Sequence, residues 1–433
     1  MARQGEHIQV QTDSGEHSGV FVKDDGEFIF LKLKSGYNIG IAKRRIKSTK
    51  ATPGGEPKKQ AGKQPEAKVS EKKGLPIISL LHTGGTIASR VDYETGAVSA
   101  KFTPEEILAL FPELGEIANV RSRLVSNIMS ENMRYCHYNL IAKAVEEEIK
   151  KGASGVIITH GTDMLHYTAA ALSFALEGLD RPVLIIGSQR SSDRPSTDSA
   201  MNLMCAAAFI ANANVPGVFT CLHEGMSDDK CLVLEGVSAR KMHSSRRDAF
   251  RPINNTAIAR VDYSSRKVEI LREPRKASQE GGLRVRSFME NIKVGIAKVH
   301  PQMFAEELAA FEKFDGLIIE GTGLGHGQTV GFDSHTSENE KIKSEIAKLA
   351  KKMPVAMTVQ TIYGRVNMNV YSPGRELVEL GVLGNYCDMT PETAFIKMAW
   401  LLSNYKREEV RELYGKSLRG EITERSEKDT FLI

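Results

Sequence analysis

The chain has little of what marks several large protein classes. Its 433 residues include only five cysteines, at positions 136, 205, 221, 231 and 387, with no Cys-x-x-Cys pair. Neither a disulfide scaffold nor a zinc ribbon is therefore encoded. No apolar stretch approaches the roughly 20 residues that a helical membrane span needs, so no membrane partner is expected. The opening Met1-Ala2-Arg3-Gln4-Gly5-Glu6 lacks the apolar core of a signal peptide. Reduced thiols in a cytoplasmic protein are the expectation. A formal net charge of +4 is too small to argue for nucleic-acid binding by the whole chain, and DNA is not an expected partner. There is no Gly-x-x-x-x-Gly-Lys-Ser/Thr phosphate loop, no clean Gly-x-Gly-x-x-Gly helix start and no His-Glu-x-x-His pair, so no metal or cofactor is expected in this chain. No internal repeat is found.

What the sequence does contain is a change of character along its length. Apolar content of 41% and charged content of 26% are those of a globular protein, and the length calls for two or three domains. Residues 7 to 48 alternate in short runs such as Phe28-Ile29-Phe30-Leu31-Lys32-Leu33, with turns at Asp13-Ser14-Gly15, Asp24-Asp25-Gly26 and Lys34-Ser35-Gly36. Four or five such strands predict a small SH3-like β-barrel over 1–50. Lys32, Lys34, Lys43, Arg44 and Arg45 form a basic stripe within it, although such runs are usually just solvated. Residues 51–74, rich in Pro, Gly, Lys and Gln, cannot bury a core and read as a flexible linker.

From Leu75 onward strands and helices alternate, the pattern of an α/β domain with a mostly parallel sheet, expected over 75–280. Its predicted strands are 77–82, 155–159, 182–187 and 217–222, and its helices 104–112, 136–150, 167–177 and 198–212. A polar stretch around Glu273 to Arg284 precedes a smaller α/β unit, expected over 290–433. That unit has predicted strands at 293–299, 316–320 and 354–359 and helices at 302–313, 338–352 and 391–404.

Two glycine-bearing loops carry the chemistry. One is Leu80-Leu81-His82-Thr83-Gly84-Gly85-Thr86, the other Ile157-Ile158-Thr159-His160-Gly161-Thr162-Asp163. Both follow apolar, strand-like runs, and ligands of open α/β sheets sit at the carboxyl ends of strands. A threonine hydroxyl is a poor nucleophile unless its proton is drawn away, so partners are required. Lys241, in a polar loop after a strand at 231–235, can hold a proton beside Asp163 and relay it to a hydroxyl. Thr86, Thr162, Asp163 and Lys241 thus form a candidate constellation. The plainer readings are that Thr83 and Thr86 bond backbone, that Asp163 caps the next helix, and that Lys241 belongs to a solvated basic loop. His82, His160 and His243 flank these segments and read as hydrogen-bonding neighbours, not metal ligands.

These motifs, in this order, resemble the bacterial-type asparaginase/glutaminase family from about Leu75 to the C-terminus. The resemblance implies that Thr86 is the acyl-accepting nucleophile and that Thr162, Asp163 and Lys241 are the second triad. It also implies that Ser130 and Glu131, in Asn127-Ile128-Met129-Ser130-Glu131-Asn132-Met133, grip the substrate's α-amino and α-carboxylate groups, and that Tyr93 rides on a mobile flap. Many asparaginases carry Gln where this chain has Glu131. The family's sites form between subunits, which implies a homodimer and gives the Gly-rich stretch 321–327 a role against a neighbouring copy.

Free asparaginases do not account for the first 74 residues. A β-barrel joined by a linker to an asparaginase-like body resembles the amidase subunits of archaeal glutamyl-tRNA(Gln) amidotransferases, a branch of that family. The resemblance implies a glutaminase that supplies ammonia to a partner, the second and tRNA-binding subunit of the amidotransferase, in a heterotetramer built on a homodimer. The partner would hold ATP, magnesium and most of the tRNA(Gln). The alternatives are a free-standing cytoplasmic asparaginase with an accessory domain and a non-catalytic RNA-interaction or assembly protein on an amidase fold; the intact constellation argues against the latter.

Overall fold

The computed structural model describes residues 5–13, 15–33, 38–51, 72–84, 90–91, 98–99, 111–190, 196–273 and 282–431. Thr86, Tyr93, Lys34, nearly all of the predicted helix 104–112 and most of the predicted linker lie outside these residues.

The first five strands are β1 (His7–Thr12), β2 (Gly15–Asp24), β3 (Phe28–Leu33), β4 (Asn38–Ala42) and β5 (Ile46–Ala51), paired antiparallel in the order β4-β3-β2-β1-β5. The two edge strands are consecutive in sequence, joined by the single turn Lys43–Arg45. That link spans at most about 14 Å, whereas a flat sheet would hold its edges about 19 Å apart. The sheet must therefore curl, and it does so around Ile8, Val10, Phe21, Leu31 and Ile41. Two residues of the expected basic stripe are paired: Lys43 with Asp24 at 2.7 Å and Arg45 with Asp13 at 2.9 Å.

The larger α/β unit is built on β6 (Ile77–His82), β7 (Asn119–Leu124), β8 (Gly155–Thr159), β9 (Pro182–Ile186), β10 (Gly217–His223) and β11 (Lys230–Glu235). A separate hairpin follows, β12 (Ala239–Lys241) with β13 (Phe250–Pro252), and then β14 (Ala259–Asp262) and β15 (Val268–Ile270) complete the sheet. The eight strands run β15-β14-β11-β10-β9-β8-β6-β7, parallel from β7 to β10 and antiparallel beyond. Every residue of β8 and β9 is buried, as expected of parallel strands covered on both faces. The pleat divides them: Val156, Ile158, Val183 and Ile185 face one core, Ile157, Leu184 and Ile186 the other. Helices α1 (Tyr135–Lys150) and α2 (Leu165–Ala175) cover the first face, and α3 (Ser199–Ala213) the second.

The smaller unit has the parallel sheet β16 (Val294–Lys298), β17 (Gly316–Gly321), β18 (Val355–Val359), flanked by α4 (Glu338–Lys352) and α5 (Pro391–Asn404). Ile342 and Ile346 of α4 pack on one side with Leu317 and Ile319. On the other side α5 joins the core of the larger unit, with the Trp400 ring 5.5 Å from that of Phe174 on α2. One expectation is corrected here: 302–313 holds only the short helix Ala305–Ala309. After it the backbone tightens into i→i−3 turns, Phe311 to Leu308 and Glu312 to Ala309, which bring the Phe311 ring against the space left by Gly295. Strand β7 and a helix at Ser372–Glu379 were not anticipated.

Candidate active site

Strand β6 opens the larger unit, β7 lies on one side of it and β8 on the other, so the winding direction reverses between β6 and β8. A reversal of this kind leaves a crevice at the strands' carboxyl ends. The loops that follow β6 and β8 are the two glycine-bearing motifs.

The first loop is anchored at its root. Thr83, fully buried, donates its hydroxyl to the Thr159 carbonyl at 2.9 Å, so its role is to tie β6 to β8. Gly84 then turns with φ of +111°, and a Cβ there would lie 2.3 Å from the Ile128 carbonyl oxygen. Only glycine allows both the left-handed backbone and this approach. The same contact brings the segment carrying Ser130 and Glu131 against the root of the Thr86 loop.

In the second loop a Cβ on Gly161 would come within 2.9 Å of Ser130, so the Ser130 segment also packs against the loop after β8. Ser130 is buried and its hydroxyl accepts from the Met164 amide at 3.3 Å, while Glu131 stands exposed beside it in a single 3-10 turn. Asp163 does not cap α2 with its side chain, contrary to the plainer expectation. Its carboxylate instead accepts from Lys241 Nζ at 2.8 Å, and the same ammonium donates to Thr162 Oγ1 at 2.9 Å.

Lys241 is likewise not in an open loop: it ends β12, held by backbone pairing to Phe250. Its side chain is 9% exposed against 68% for Asp163, so the cation is withdrawn and the carboxylate faces solvent. A withdrawn ammonium needs partners to offset lost hydration, and Thr162 and Asp163 supply them. Thr162, Asp163, Lys241 and Ser130 are thus gathered at the carboxyl-end side of β8, with exposed Glu131 next to Ser130 in the chain.

The neighbouring histidines are fixed and neutral. Burial pushes His82 and His160 down to about 4. His160 Nδ1 donates to the Gly161 carbonyl at 2.7 Å, so Nε2 is left to accept from the Thr168 hydroxyl at 2.8 Å. His82 bonds Thr159 and Ser122. His243 is different: exposed, it accepts the backbone amides of Ser245 and Arg246 at 3.1 Å and only shapes a turn. Among the described residues no group of three or more His, Cys, Asp or Glu side chains could hold a metal ion.

A third element of the crevice escaped the sequence reading. Asp198, fully buried at the start of α3, accepts from Ser188 Oγ and the amides of Gln189 and Arg190 at 2.7 to 3.1 Å. This folds the loop after β9 so that Gln189 Oε1 lies 3.5 Å from Thr162 Oγ1. The helix start at Asp198 is legible in the sequence, but no local pattern ties Asp198 to Ser188, Gln189 and Arg190.

Comparison with known proteins agrees with this fold. Residues 77–276 match the family "Asparaginase, N-terminal", and residues 293–414 match "Glutaminase/Asparaginase C-terminal domain". Residues 2–50 match "GatD N-terminal domain". The GatD component of glutamyl-tRNA(Gln) amidotransferase from Methanococcus maripaludis strain C5 is 41% identical over 428 residues, 97% of this chain and 98% of that protein. The chain belongs to the GatD branch of the asparaginase family. The corresponding protein of Pyrococcus furiosus is 42% identical over 417 residues, 94% of this chain and 90% of its own. Among solved structures, the thermostable L-asparaginase of Thermococcus kodakarensis superposes with a TM-score of 0.70 at 30% identity, covering 81% of this chain and all of that one. This chain therefore combines an asparaginase-like two-unit body with an N-terminal antiparallel sheet, the fold class read from the sequence. Among the described residues no helix is long and apolar enough to cross a membrane.

Proposed function

We propose that this chain is the glutaminase component of a tRNA-dependent amidotransferase: it hydrolyses glutamine and passes ammonia to a partner subunit that converts Glu-tRNA(Gln) to Gln-tRNA(Gln). The observation that carries the reading is the Lys241–Thr162–Asp163 set at the sheet's reversal point, in the loop after β8 that lies next to the loop after β6. The match to GatD proteins over nearly the whole chain supports the choice of substrate and partner.

In this reading the Thr86 oxygen attacks the side-chain amide carbon of glutamine. Its proton passes toward the departing nitrogen, ammonia leaves, and an ester on Thr86 remains. Water then attacks the ester, returns a proton to Thr86 and releases glutamate. Lys241 holds Thr162 by one hydrogen bond and is itself held by Asp163, so the Thr162 hydroxyl is fixed in direction and can relay a proton. Ser130 and Glu131 bind the α-amino and α-carboxylate groups of the substrate, and Tyr93 closes over the site. The reading calls for no metal or cofactor in this chain, since ATP and magnesium belong to the tRNA-binding partner. The chain forms a homodimer in the cytoplasm, the core of a heterotetramer whose tRNA contacts lie mainly on that partner.

The deciding experiment supplies glutamine and Glu-tRNA(Gln) to the purified chain with and without the tRNA-binding partner. Amidated tRNA formed only with both proteins and glutamine supports the proposal. Rapid asparagine hydrolysis by the chain alone, with no amidation in the mixture, would favour a free-standing asparaginase, to which the likeness to the Thermococcus enzyme lends weight.

A further inference from the structure

Consecutive residues of a strand point to opposite faces. On β12 this sends Lys241 into the crevice and Arg240 toward the smaller unit. There Arg240 Nη2 meets Glu392 Oε1 at 3.0 Å. Glu392 sits in the first turn of α5, 9% exposed, a depth at which a carboxylate is seldom found unpaired. The same oxygen lies 4.0 Å from His166 Nε2. His166 is the second residue of α2, three positions after Asp163, and it too is buried. One carboxylate of the smaller unit therefore pairs with the residue before Lys241 and lies 4.0 Å from an imidazole three residues after Asp163. The imidazole feels Arg240, Lys241 and Asp163 as well as Glu392, and burial keeps it neutral, down to about 4. Glu392 Oε2 and His166 Nδ1 make no hydrogen bond among the described residues, so Arg240 is the principal partner of this carboxylate.

We propose that Glu392 is a positioning residue for the Lys241–Thr162–Asp163 set, acting through Arg240 and His166, and that it makes the smaller α/β unit part of the hydrolytic device. Two cations, Arg240 and Lys241, are adjacent on a three-residue strand. Without a buried anion behind Arg240 their mutual repulsion would fall on Lys241, whose 2.9 Å bond to Thr162 has to stay aligned. The pair also pins β12 to the first turn of α5, so a shift of the smaller unit is felt at the Lys241 ammonium. The inference rests on the proposed glutaminase reading.

The test compares Glu392→Gln, Arg240→Met and the double variant in the full chain with its tRNA-binding partner. Glutamine hydrolysis is followed as kcat per folded chain and as KM, with the folded fraction fixed by near-ultraviolet circular dichroism. A small misplacement of a catalytic group is costly, so each single variant is expected to lose about tenfold or more in kcat with KM within about twofold. The double variant is expected to be no worse than the poorer single one, because both remove the same link. Additive losses, or a lowered melting temperature with kcat per folded chain unchanged, would overturn the proposal. Wild-type enzyme run alongside separates the two claims: no hydrolysis by the wild type counts against the glutaminase reading, whereas a wild-type rate in Glu392→Gln counts against Glu392 alone.

Discussion

Lys241 Nζ donates to Thr162 Oγ1 at 2.9 Å, although one residue ends a short hairpin strand and the other lies in the loop after the central strand β8. Two separate backbone systems must be in register for this bond to form. Lys241 is withdrawn from water with a carboxylate at 2.8 Å on its other side, so its ammonium is held in place. That arrangement is the physical core of the proposed hydrolytic site.

Lys241→Met is expected to keep the fold, since the methionine can fill the same narrow space, and to lower glutamine hydrolysis by about a thousandfold or more, the usual loss when a proton-handling partner of a nucleophile is removed. Thr162→Val should behave alike. Steady-state ammonia release checks both, and the double variant should be little worse than either single one, because residues that act as a unit are not additive.

Gly84→Ala should be costly out of proportion to one methyl group. The φ of +111° and the 2.3 Å approach to Ile128 both forbid a Cβ. A loss of about 1–3 kcal/mol is expected from backbone strain of this kind, together with a drop in activity as the Ser130 segment is pushed away. Urea denaturation and a KM measurement test the two effects separately.

His82 and His160 are held near 4, below the unfolded value of about 6.5. Below that value the unfolded chain binds protons that the folded chain refuses, so unfolding is favoured. The stabilisation from the neutral imidazoles is complete above pH 6.5 and is lost as pH falls toward 4. Replacing His160 by Gln should flatten the dependence of unfolding free energy on pH across this window, measured by denaturation at half-unit steps. An unchanged slope would mean that His160 takes up its proton in the folded state.

Removal of residues 1–74 should leave the asparaginase-like body folded, because its cores share no residue with the Ile8–Val10–Leu31 core of the first sheet. The expected consequence is a weakened link to the tRNA-binding partner: glutamine is still hydrolysed but little tRNA is amidated. Normal amidation by the truncated chain would deny the N-terminal sheet a role in coupling.

What was legible in the sequence follows from the range of the forces involved. Strands β8 and β9 announce themselves because both faces are buried, which leaves continuous β-branched and aliphatic runs between glycines. Strand β7, Asn-Val-Arg-Ser-Arg-Leu, is an edge strand, and its polar face hides it from the same test. The short strand that carries Lys241 exists only because Phe250 returns to pair with it, a tertiary fact. The Arg240–Glu392 contact joins two units far apart in sequence, and neither residue type nor spacing points to the other. Local patterns thus placed the loops with the hydroxyls, while the charges that hold them in line became visible only in three dimensions.

The most direct test of the proposed chemistry is ammonia release from glutamine by the Thr86→Val variant, assembled with the tRNA-binding partner and Glu-tRNA(Gln) beside the wild type. With the fold verified by circular dichroism, the expected result is a rate lower by about a thousandfold or more, as for loss of a covalent nucleophile. A variant that keeps a substantial fraction of the wild-type rate would contradict Thr86 as nucleophile and, with it, the mechanism built around Lys241 and Thr162.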